Sequence, residues 1–223
     1  MPYLPPPQSE EELLQRADAL AGCSLASIAQ DLGIAMPPDL RRHKGWVGQL
    51  LELALGADAE SLPEPDFRLI GVEMKSLPID HSGKPRESTY VCTVPLGQLE
   101  PSWEASWVRR KLSRVLWLPV EAHPEIPLTQ RRIGTPLLWS PSATEERVLR
   151  LDWEELGEMI LLGELESITA RMGSALQIRP KAANSLARCS SVGADGEAIT
   201  THPRGYYLRP GFTHAILQRH YLL

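Results

Sequence analysis

Helical spacing of apolar residues dominates the first quarter of the chain. The first predicted helix begins at Ser9, where Glu12 three residues later completes a capping-box pattern, and it ends at Gly22. A second, shorter helix ends at Gly33, and a third occupies 45–56 and carries one broad apolar face. The first two helices carry no chemistry-bearing pattern, so we interpret them as scaffold.

Strand-like segments rich in β-branched and aromatic residues follow. They lie at 72–77, 88–94, 115–118 (closed by Pro119), 176–181 and 204–209, and 136–139 is a further short apolar segment. Further helices are predicted from about residue 102 to 114, over 144–172 with a division at Gly163, and over 213–221. Helices and strands mixed along one chain predict an α/β fold of the mixed α+β kind.

The first predicted strand carries both acidic and basic side chains. Because side chains alternate along a strand, Glu73 and Lys75 share one face. Gly71 permits a turn just before the strand, which would bring Asp66 next to Glu73. Mg²⁺ prefers oxygen ligands and usually takes one or two carboxylates, and Lys75 would orient or deprotonate a nucleophile. The pattern predicts a metal site for phosphodiester hydrolysis; a solvated Glu–Lys pair is the alternative.

A further carboxylate, Glu52, projects from the third predicted helix on the side of Gly45 and Gly48. Glycine weakens a helix by up to about 1 kcal/mol, so its presence here indicates close packing. Two interpretations of Glu52 stay open: an ordinary solvated helix residue, or an additional active-site carboxylate.

The net charge of −5 conceals an uneven distribution along the 223 residues. Residues 171–223 carry seven basic and two acidic side chains, so this part is +5 and the remainder −10. Such asymmetry fits one side that faces a polyanion and another that faces solvent or a partner, but it also fits ordinary surface variation. The hydrophobic content of 43% is sufficient for a packed domain.

Several other classes of protein lack support in the sequence. The six histidines are scattered without zinc-ligand spacing, and no GxSxG, P-loop or GxGxxG pattern occurs. Three cysteines without CxxC spacing are typical of reduced thiols. With neither a signal-peptide pattern nor a membrane-spanning apolar run, we expect a cytoplasmic protein that does not associate with membranes.

Five stretches together carry a resemblance that extends over nearly the whole chain. They are 44–52 (KGWVGQLLE), Asp66 with 71–75 (GVEMK), 131–141 (RRIGTPLLWSP), 177–184 (QIRPKAAN) and 203–208 (PRGYYL). In these stretches the sequence resembles the MutH family of DNA mismatch-repair endonucleases.

The resemblance implies a restriction-endonuclease-like fold of the PD-(D/E)xK class, with a central mixed sheet flanked by helices and two lobes around a DNA cleft. Residues 1–223 would form a single nuclease domain, with a metal-binding catalytic lobe over about 1–105 and a DNA-reading lobe over about 106–223. It also implies that one or two Mg²⁺ ions support nicking of the unmethylated strand at hemimethylated GATC, 5′ of the G. Activation by MutL, and through it coupling to MutS, follows from the same resemblance, and we expect a monomer.

The resemblance assigns the catalytic roles as follows. The family's metal and catalytic residues match Asp66, Glu73 and Lys75, with the Met74 backbone carbonyl as a further metal ligand, Glu52 and Lys111 as supporting positions, and Lys44 near the phosphates.

Base reading in the family matches Arg179, Pro180 and Lys181, and methylation sensing matches Tyr207. Tyr90 matches an aromatic residue that inserts into the groove, although the family has Phe there. Arginine can engage guanine O6 and N7, and a tyrosine hydroxyl can sense the adenine N6 amino group. The alternative for Tyr207 is a half-buried aromatic residue of a sheet.

Two alternative functions follow from the same residues. A GATC-specific restriction endonuclease of type II would cut both strands, normally through paired active sites. A non-catalytic DNA-binding adaptor is disfavoured because both carboxylates and the lysine are present.

Overall fold

A computed structural model describes residues 4–39, 43, 45–59, 64–97, 99–181, 187–193 and 195–221. The chain divides into two compact units, each built from two segments. The first unit comprises Met1–Arg86 and Ser113–Ser140, and the second comprises Glu87–Leu112 and Pro141–Leu223. The sequence suggested one boundary near residue 105, whereas the chain passes between the units three times. The functions of the two lobes stay predictions.

Three helices open the first unit: α1 (Glu10–Leu20), α2 (Leu25–Leu32) and α3 (Trp46–Leu55). Ser9 caps α1 by accepting a hydrogen bond from the Glu12 N–H, and the Glu12 carboxylate accepts one from the Gln8 N–H at 2.7 Å. The capping side chains are those that the sequence predicts, but the second donor is Gln8 rather than Ser9.

The sheet of the first unit is mixed. Strand β1 (Glu73–Ile79) pairs in parallel with β3 (Val115–Glu121), which pairs antiparallel with β4 (Leu137–Trp139). Val72 and Met74 at the start of β1 belong to one buried cluster with residues of β3 and of all three helices. Burial of this apolar face fixes which side of β1 faces the helices, and Glu73 and Lys75 therefore take the other side.

The second unit contains two antiparallel sheets. One has the order β2-β8-β5, formed by β2 (Thr89–Thr93), β8 (Arg204–Leu208) and β5 (Leu176–Pro180). The other is a hairpin of β6 (Cys189–Val192) and β7 (Ala198–Thr201). The helices of this unit are α4 (Trp107–Leu112), α5 (Ala143–Leu161) and α6 (Pro210–Tyr221).

A buried carboxylate joins α5 to the start of β5. Asp152 is 5% exposed and accepts hydrogen bonds from three consecutive backbone N–H groups, those of Ser174, Ala175 and Leu176, at 2.6 to 3.0 Å. A buried carboxylate needs such partners to compensate for lost hydration. Asp152 therefore fixes the point at which β5 begins.

The mixed α+β class is confirmed, and most predicted elements exist within a few residues of their expected bounds. Three expectations need correction. Strand β3 continues through Pro119 to Glu121, and the Pro119 carbonyl accepts a hydrogen bond from the Gly134 N–H at 2.8 Å. The predicted helix from about residue 102 is a 3₁₀ turn, Trp103–Ala105, followed by the short α4. The hairpin of β6 and β7 was not predicted.

The remaining predicted helices end close to where the sequence suggested. Helix α5 ends at Leu161, and Gly163 follows with a φ of 75°, so this glycine does divide the predicted 144–172 segment. None of the helices in the described ranges is long and apolar enough to cross a membrane.

Candidate functional site

A tight turn brings Asp66 to the start of β1. Phe67 and Val72 exchange two backbone hydrogen bonds, at 2.9 and 3.2 Å, and thereby close the connection between them. Gly71 has a φ of 65°, in the left-handed region that glycine adopts without a steric penalty. Beyond this turn, the Asp66 carboxylate accepts a hydrogen bond from the Met74 N–H at 2.8 Å. The local sequence thus places Asp66 directly against β1.

Glu73 and Lys75 form an ion pair on one face of β1. Their side chains are 2% and 12% exposed, so little water reaches either charge. A buried charge persists only when it is paired or coordinated, and losing one partner destabilises the other. With Asp66 bonded to the adjacent residue, two carboxylates and one ammonium lie at the same end of β1. The structure brings together the three residues on which the sequence hypothesis depends.

The Met74 carbonyl points to the same edge of β1 as Asp66. The Glu73 N–H donates to the Arg114 carbonyl at 2.9 Å and so faces β3. Backbone groups of successive strand residues point to opposite edges, so both the N–H and the carbonyl of Met74 face away from β3. Pro78 lies four residues after Met74, so its carbonyl points to the same edge. That carbonyl accepts a hydrogen bond from the Arg86 N–H, which does not belong to β3. Asp66, Glu73 and the Met74 carbonyl are therefore candidate ligands of one cation.

Glu52 lies on the side of α3 that faces β1. A Cβ built on Gly48 would stand 3.9 Å from Glu52 Oε1 and 4.0 Å from Ser76 Oγ, so both side chains border the same small space. Glu52 is half-buried, which departs from the solvated helix surface offered as one interpretation. Among the described residues, no three His, Cys, Asp or Glu side chains stand close enough together to hold a metal ion. The donor set at β1 is thus two carboxylates and a carbonyl.

Lys111 and Lys44 are the two remaining predicted positions. Lys111 is half-buried on α4 of the second unit, three residues before Arg114 in the chain. Lys44 lies outside the described residues.

Four predicted DNA-binding residues form a basic aromatic face on the β2-β8-β5 sheet: Tyr90, Arg179, Lys181 and Tyr207. The rings of Tyr90 and Tyr207 meet edge to face with centroids 5.4 Å apart. The Lys181 ammonium lies 3.1 Å from the Tyr90 centroid, and the Arg179 guanidinium lies 5.9 Å from the Tyr207 centroid. Cations over aromatic rings are attracted by the ring quadrupole. The structure brings all four residues together.

The sheet register explains why these side chains share one face. Tyr207 pairs with Tyr90 on one side and with Gln177 on the other, and directly opposed residues point the same way. A β-bulge between Tyr90 and Cys92 shifts the register, so that Thr93 falls opposite Gly205. Thr93 then lies near Tyr90, with its Oγ1 3.0 Å from the tyrosine hydroxyl.

Gly205 makes room for the tyrosine pair. A Cβ at this position would stand 3.0 Å from Tyr90 Cε2 and 3.1 Å from Tyr207 Cε2, closer than side chains normally approach. Pro180, the last residue of β5, is exposed, and the next backbone N–H, that of Lys181, donates to the Pro203 carbonyl at 2.7 Å. The segment from Arg179 to Lys181 is therefore held against β8 rather than left as an independent loop.

Burial raises the pKa of Tyr207 above its usual range, with a further contribution from Tyr90, while Arg179 acts in the opposite direction. Tyr207 therefore keeps its hydroxyl hydrogen at neutral pH and can both donate and accept a hydrogen bond. Its neighbour Tyr206 is 1% exposed and belongs to the core. The alternation of the strand separates the exposed tyrosine from the buried one.

Sequence reasoning missed two polar residues of this sheet, Ser88 and Gln177. Ser88 Oγ accepts hydrogen bonds from Gln177 Nε2 at 2.6 Å and from Arg179 Nη1 at 3.1 Å. The available signal was local: Ser88 lies two residues before Tyr90, and Gln177 two residues before Arg179, so each pair points to one face of its strand. This signal does not show that the two pairs meet.

A cavity of about 670 Å³ occurs in the first unit, and neither Asp66 nor Glu73 lines it. It is lined by the last residues of β1 and β3, Ile79 and Glu121, and by residues that follow these strands, including His81 and His123. The two histidine rings meet edge to face at 5.5 Å. The cavity and the Asp66, Glu73 and Lys75 side chains thus lie at opposite ends of β1. The candidate site is the end that carries the carboxylates and the lysine.

Comparison with known proteins identifies the family. Residues 55–152 match the family described as MutH, DNA mismatch repair enzyme MutH. The chain is 56% identical over all 223 residues to the DNA mismatch repair protein MutH of Serratia proteamaculans (strain 568), covering 98% of that protein. It is 58% identical to the protein of the same name from Klebsiella pneumoniae (strain 342) and 56% identical to that from Salmonella paratyphi C, covering 96% of each.

The mixed α+β fold and these relatives together define the class of the protein as a DNA mismatch repair enzyme with a restriction-endonuclease-like architecture. The chain belongs to the MutH family. The resemblance seen in the five sequence stretches is confirmed.

Proposed function

We propose that the chain is a Mg²⁺-dependent endonuclease that nicks the unmethylated strand at hemimethylated GATC sites, 5′ of the G, during mismatch repair. One observation carries the catalytic part of the proposal. Asp66 bonds to the Met74 N–H at the end of β1 where the buried Glu73–Lys75 pair lies. Two carboxylates that can hold a metal ion, beside a lysine that can orient or deprotonate a water, suit metal-assisted phosphodiester hydrolysis.

The donor set fits Mg²⁺. Asp66, Glu73 and the Met74 carbonyl would hold one or two ions, since Mg²⁺ takes oxygen ligands and usually only one or two carboxylates. When bound, the ion would supply Lewis-acid stabilisation of phosphate charge and would lower the pKa of a coordinated water.

As an ammonium, Lys75 would contribute a positive charge beside the scissile phosphate and orient the attacking water. Acting instead as a neutral amine, it would accept the proton of that water. Its ion pair with Glu73 holds the ammonium in place where little solvent screens it. We assign Glu52 and Lys111 supporting roles in the active site, and Lys44 a phosphate contact.

The basic aromatic face would read the DNA. Arg179 would donate to guanine O6 and N7, with Pro180 and Lys181 beside it. The Tyr207 hydroxyl would pair with the adenine N6 amino group, and a methyl group there would remove a hydrogen or crowd the hydroxyl. Tyr90 would insert into the groove, which requires it to leave its contacts with Thr93 and Lys181.

We further propose that the chain works as a monomer in the cytoplasm, on double-stranded DNA, activated by MutL and through it coupled to MutS. The relatives named DNA mismatch repair protein MutH support this role over that of a restriction enzyme or a non-catalytic adaptor.

Strand-resolved cleavage of GATC duplexes in Mg²⁺ tests the proposal. Hemimethylated, unmethylated and fully methylated duplexes, with and without MutL, should show nicking of unmethylated strands, stimulation by MutL and protection of the fully methylated duplex. Concerted cutting of both strands would favour the restriction enzyme, and binding without cleavage would favour the adaptor.

Glu73→Ala and Lys75→Ala should each reduce nicking by at least about a hundredfold while leaving DNA affinity within a few-fold, because each removes charge at the reacting phosphate. Glu125→Ala is the matched control, since this carboxylate is 89% exposed at the other end of the unit's sheet. Undiminished nicking by either variant would refute the assignment of the site.

A further inference from the structure

Ser88 connects a buried amide to the exposed arginine of the basic aromatic face. The Gln177 side chain, 4% exposed, donates from Nε2 to Ser88 Oγ at 2.6 Å. The Arg179 guanidinium donates to the same oxygen at 3.1 Å. Because Gln177 is held within the sheet, its hydrogen bond holds Ser88 Oγ in position. Ser88 Oγ in turn provides one contact that positions the Arg179 guanidinium.

The second anchor of Arg179 is the Tyr207 ring, 5.9 Å from the guanidinium carbon. An exposed arginine otherwise samples many rotamers, and ordering them on binding weakens the complex. A hydrogen bond on one side and a ring on the other restrict the guanidinium before any ligand arrives. Bidentate contact with a base depends on this restriction, because both N–H groups must be aligned at once.

We propose that Ser88 is a positioning residue that sets the base preference of Arg179. The inference rests on the proposed function, since it concerns how that function achieves specificity. Ser88 acts through Arg179. A hydroxyl has two acceptor lone pairs and one hydrogen, and Gln177 and Arg179 donate to the lone pairs.

A double-mutant cycle on the full chain tests this inference. The measured quantity is the ratio of nicking rates on a hemimethylated GATC duplex and on the same duplex with the first G·C pair replaced by A·T. Loss of one hydrogen bond to a charged group should lower this ratio about tenfold in Ser88→Ala. Ser88→Thr keeps the hydroxyl and should stay within about threefold of the parent chain.

The cycle is completed in the Arg179→Ala background. If Ser88 works through Arg179, adding Ser88→Ala there should change the ratio less than about twofold, since residues in one network are not additive. Affinity for non-specific DNA and its salt dependence should not change, because Ser88 contributes no charge. Ser167→Ala, at an exposed serine of the same unit, is the matched control, and melting temperatures establish that each variant folds.

Each outcome decides a different point. An unchanged ratio in Ser88→Ala, an equal loss in the Arg179→Ala background, or a loss in a folded Ser88→Thr variant would overturn the positioning role. A parent chain that nicks both duplexes equally would instead refute the GATC specificity of the proposed function, before Ser88 enters the comparison.

Discussion

Tyr207 combines packing contacts with partial exposure to solvent. Its ring packs against Tyr90 and lies beneath the Arg179 guanidinium, while part of the side chain stays open to solvent. The alternation of the strand places Tyr206 in the core, so neighbouring tyrosines differ in what they can contact. The alternative interpretation of Tyr207, a half-buried aromatic residue of a sheet, describes its location correctly. This location is compatible with the sensing role.

Tyr207→Phe should reduce discrimination between hemimethylated and fully methylated GATC duplexes about tenfold, because it removes one hydrogen bond and keeps the ring. Because the pKa of Tyr207 is raised, its hydroxyl stays protonated up to and beyond the ordinary tyrosine pKa near 10. Discrimination by the parent chain should therefore be constant between pH 7 and pH 9. Nicking rates on the two duplexes at three pH values measure both effects, and discrimination retained by Tyr207→Phe would remove the sensing role.

At the scale of elements, the β2-β8-β5 sheet controls the face through its middle strand. Strand β8 contributes the Tyr207 side chain, and its Gly205 leaves room for the rings of Tyr90 and Tyr207. The bulge in β2 places Thr93 on the same face as these rings. The rings of Tyr90 and Tyr207 can approach each other only because Gly205, which lies beneath them on β8, has no Cβ. A small residue in the central strand thus determines the arrangement of large residues on two strands.

Gly205→Ala should disturb this arrangement without unfolding the chain. The added Cβ would stand about 3 Å from both rings, so they must move apart, at a cost of roughly 1–3 kcal/mol. We expect weaker methylation discrimination, with near-normal melting behaviour of the first unit. Tyrosine ring resonances in NMR spectra would report the displacement, and Gly211→Ala, where a Cβ meets no atom within 4 Å, serves as the control.

At the scale of the whole molecule, each unit is assembled from chain segments that are distant in sequence. Glu10, at the start of α1, pairs with Arg114, 104 residues later, with 2.8 Å between Arg114 Nε and Glu10 Oε1. This ion pair joins the two segments of the first unit. The hydrogen bond from Arg114 holds the pKa of Glu10 below its usual range.

This shift makes one contribution to stability dependent on pH. A carboxylate with a lowered folded-state pKa stabilises above its unfolded value, near 4.5, and the stabilisation is lost as the pH falls through the folded pKa. Glu10→Gln should therefore lower stability at pH 7 by less than about 1 kcal/mol, since solvent screens the pair, and should lose less than the parent between pH 5 and pH 3. Urea unfolding at both pH values measures this, with Glu11→Gln as control; parallel behaviour of Glu10→Gln and the parent would contradict it.

Local signals in the sequence were sufficient for much of the fold. Helix ends at Gly33 and Gly163 and the turn before β1 depend on neighbouring residues, and all could be predicted. The β6–β7 hairpin could not, because Cys189–Val192 and Ala198–Thr201 are short and their hydrophobic and polar residues do not alternate clearly. Ser88 was missed because its partners lie 89 and 91 residues away, where no local pattern connects them. The candidate site at β1 was found because Asp66, Glu73 and Lys75 are close in sequence.

The hydrogen bonds that Asp152 accepts from three backbone N–H groups have a consequence for genetics. They set where β5 starts, and every later residue of that strand, Arg179 included, inherits its position from that starting point. A helix residue 27 positions upstream can therefore determine where the Arg179 guanidinium lies. Inactivating alleles should accordingly include substitutions at buried positions such as Asp152, which is 5% exposed.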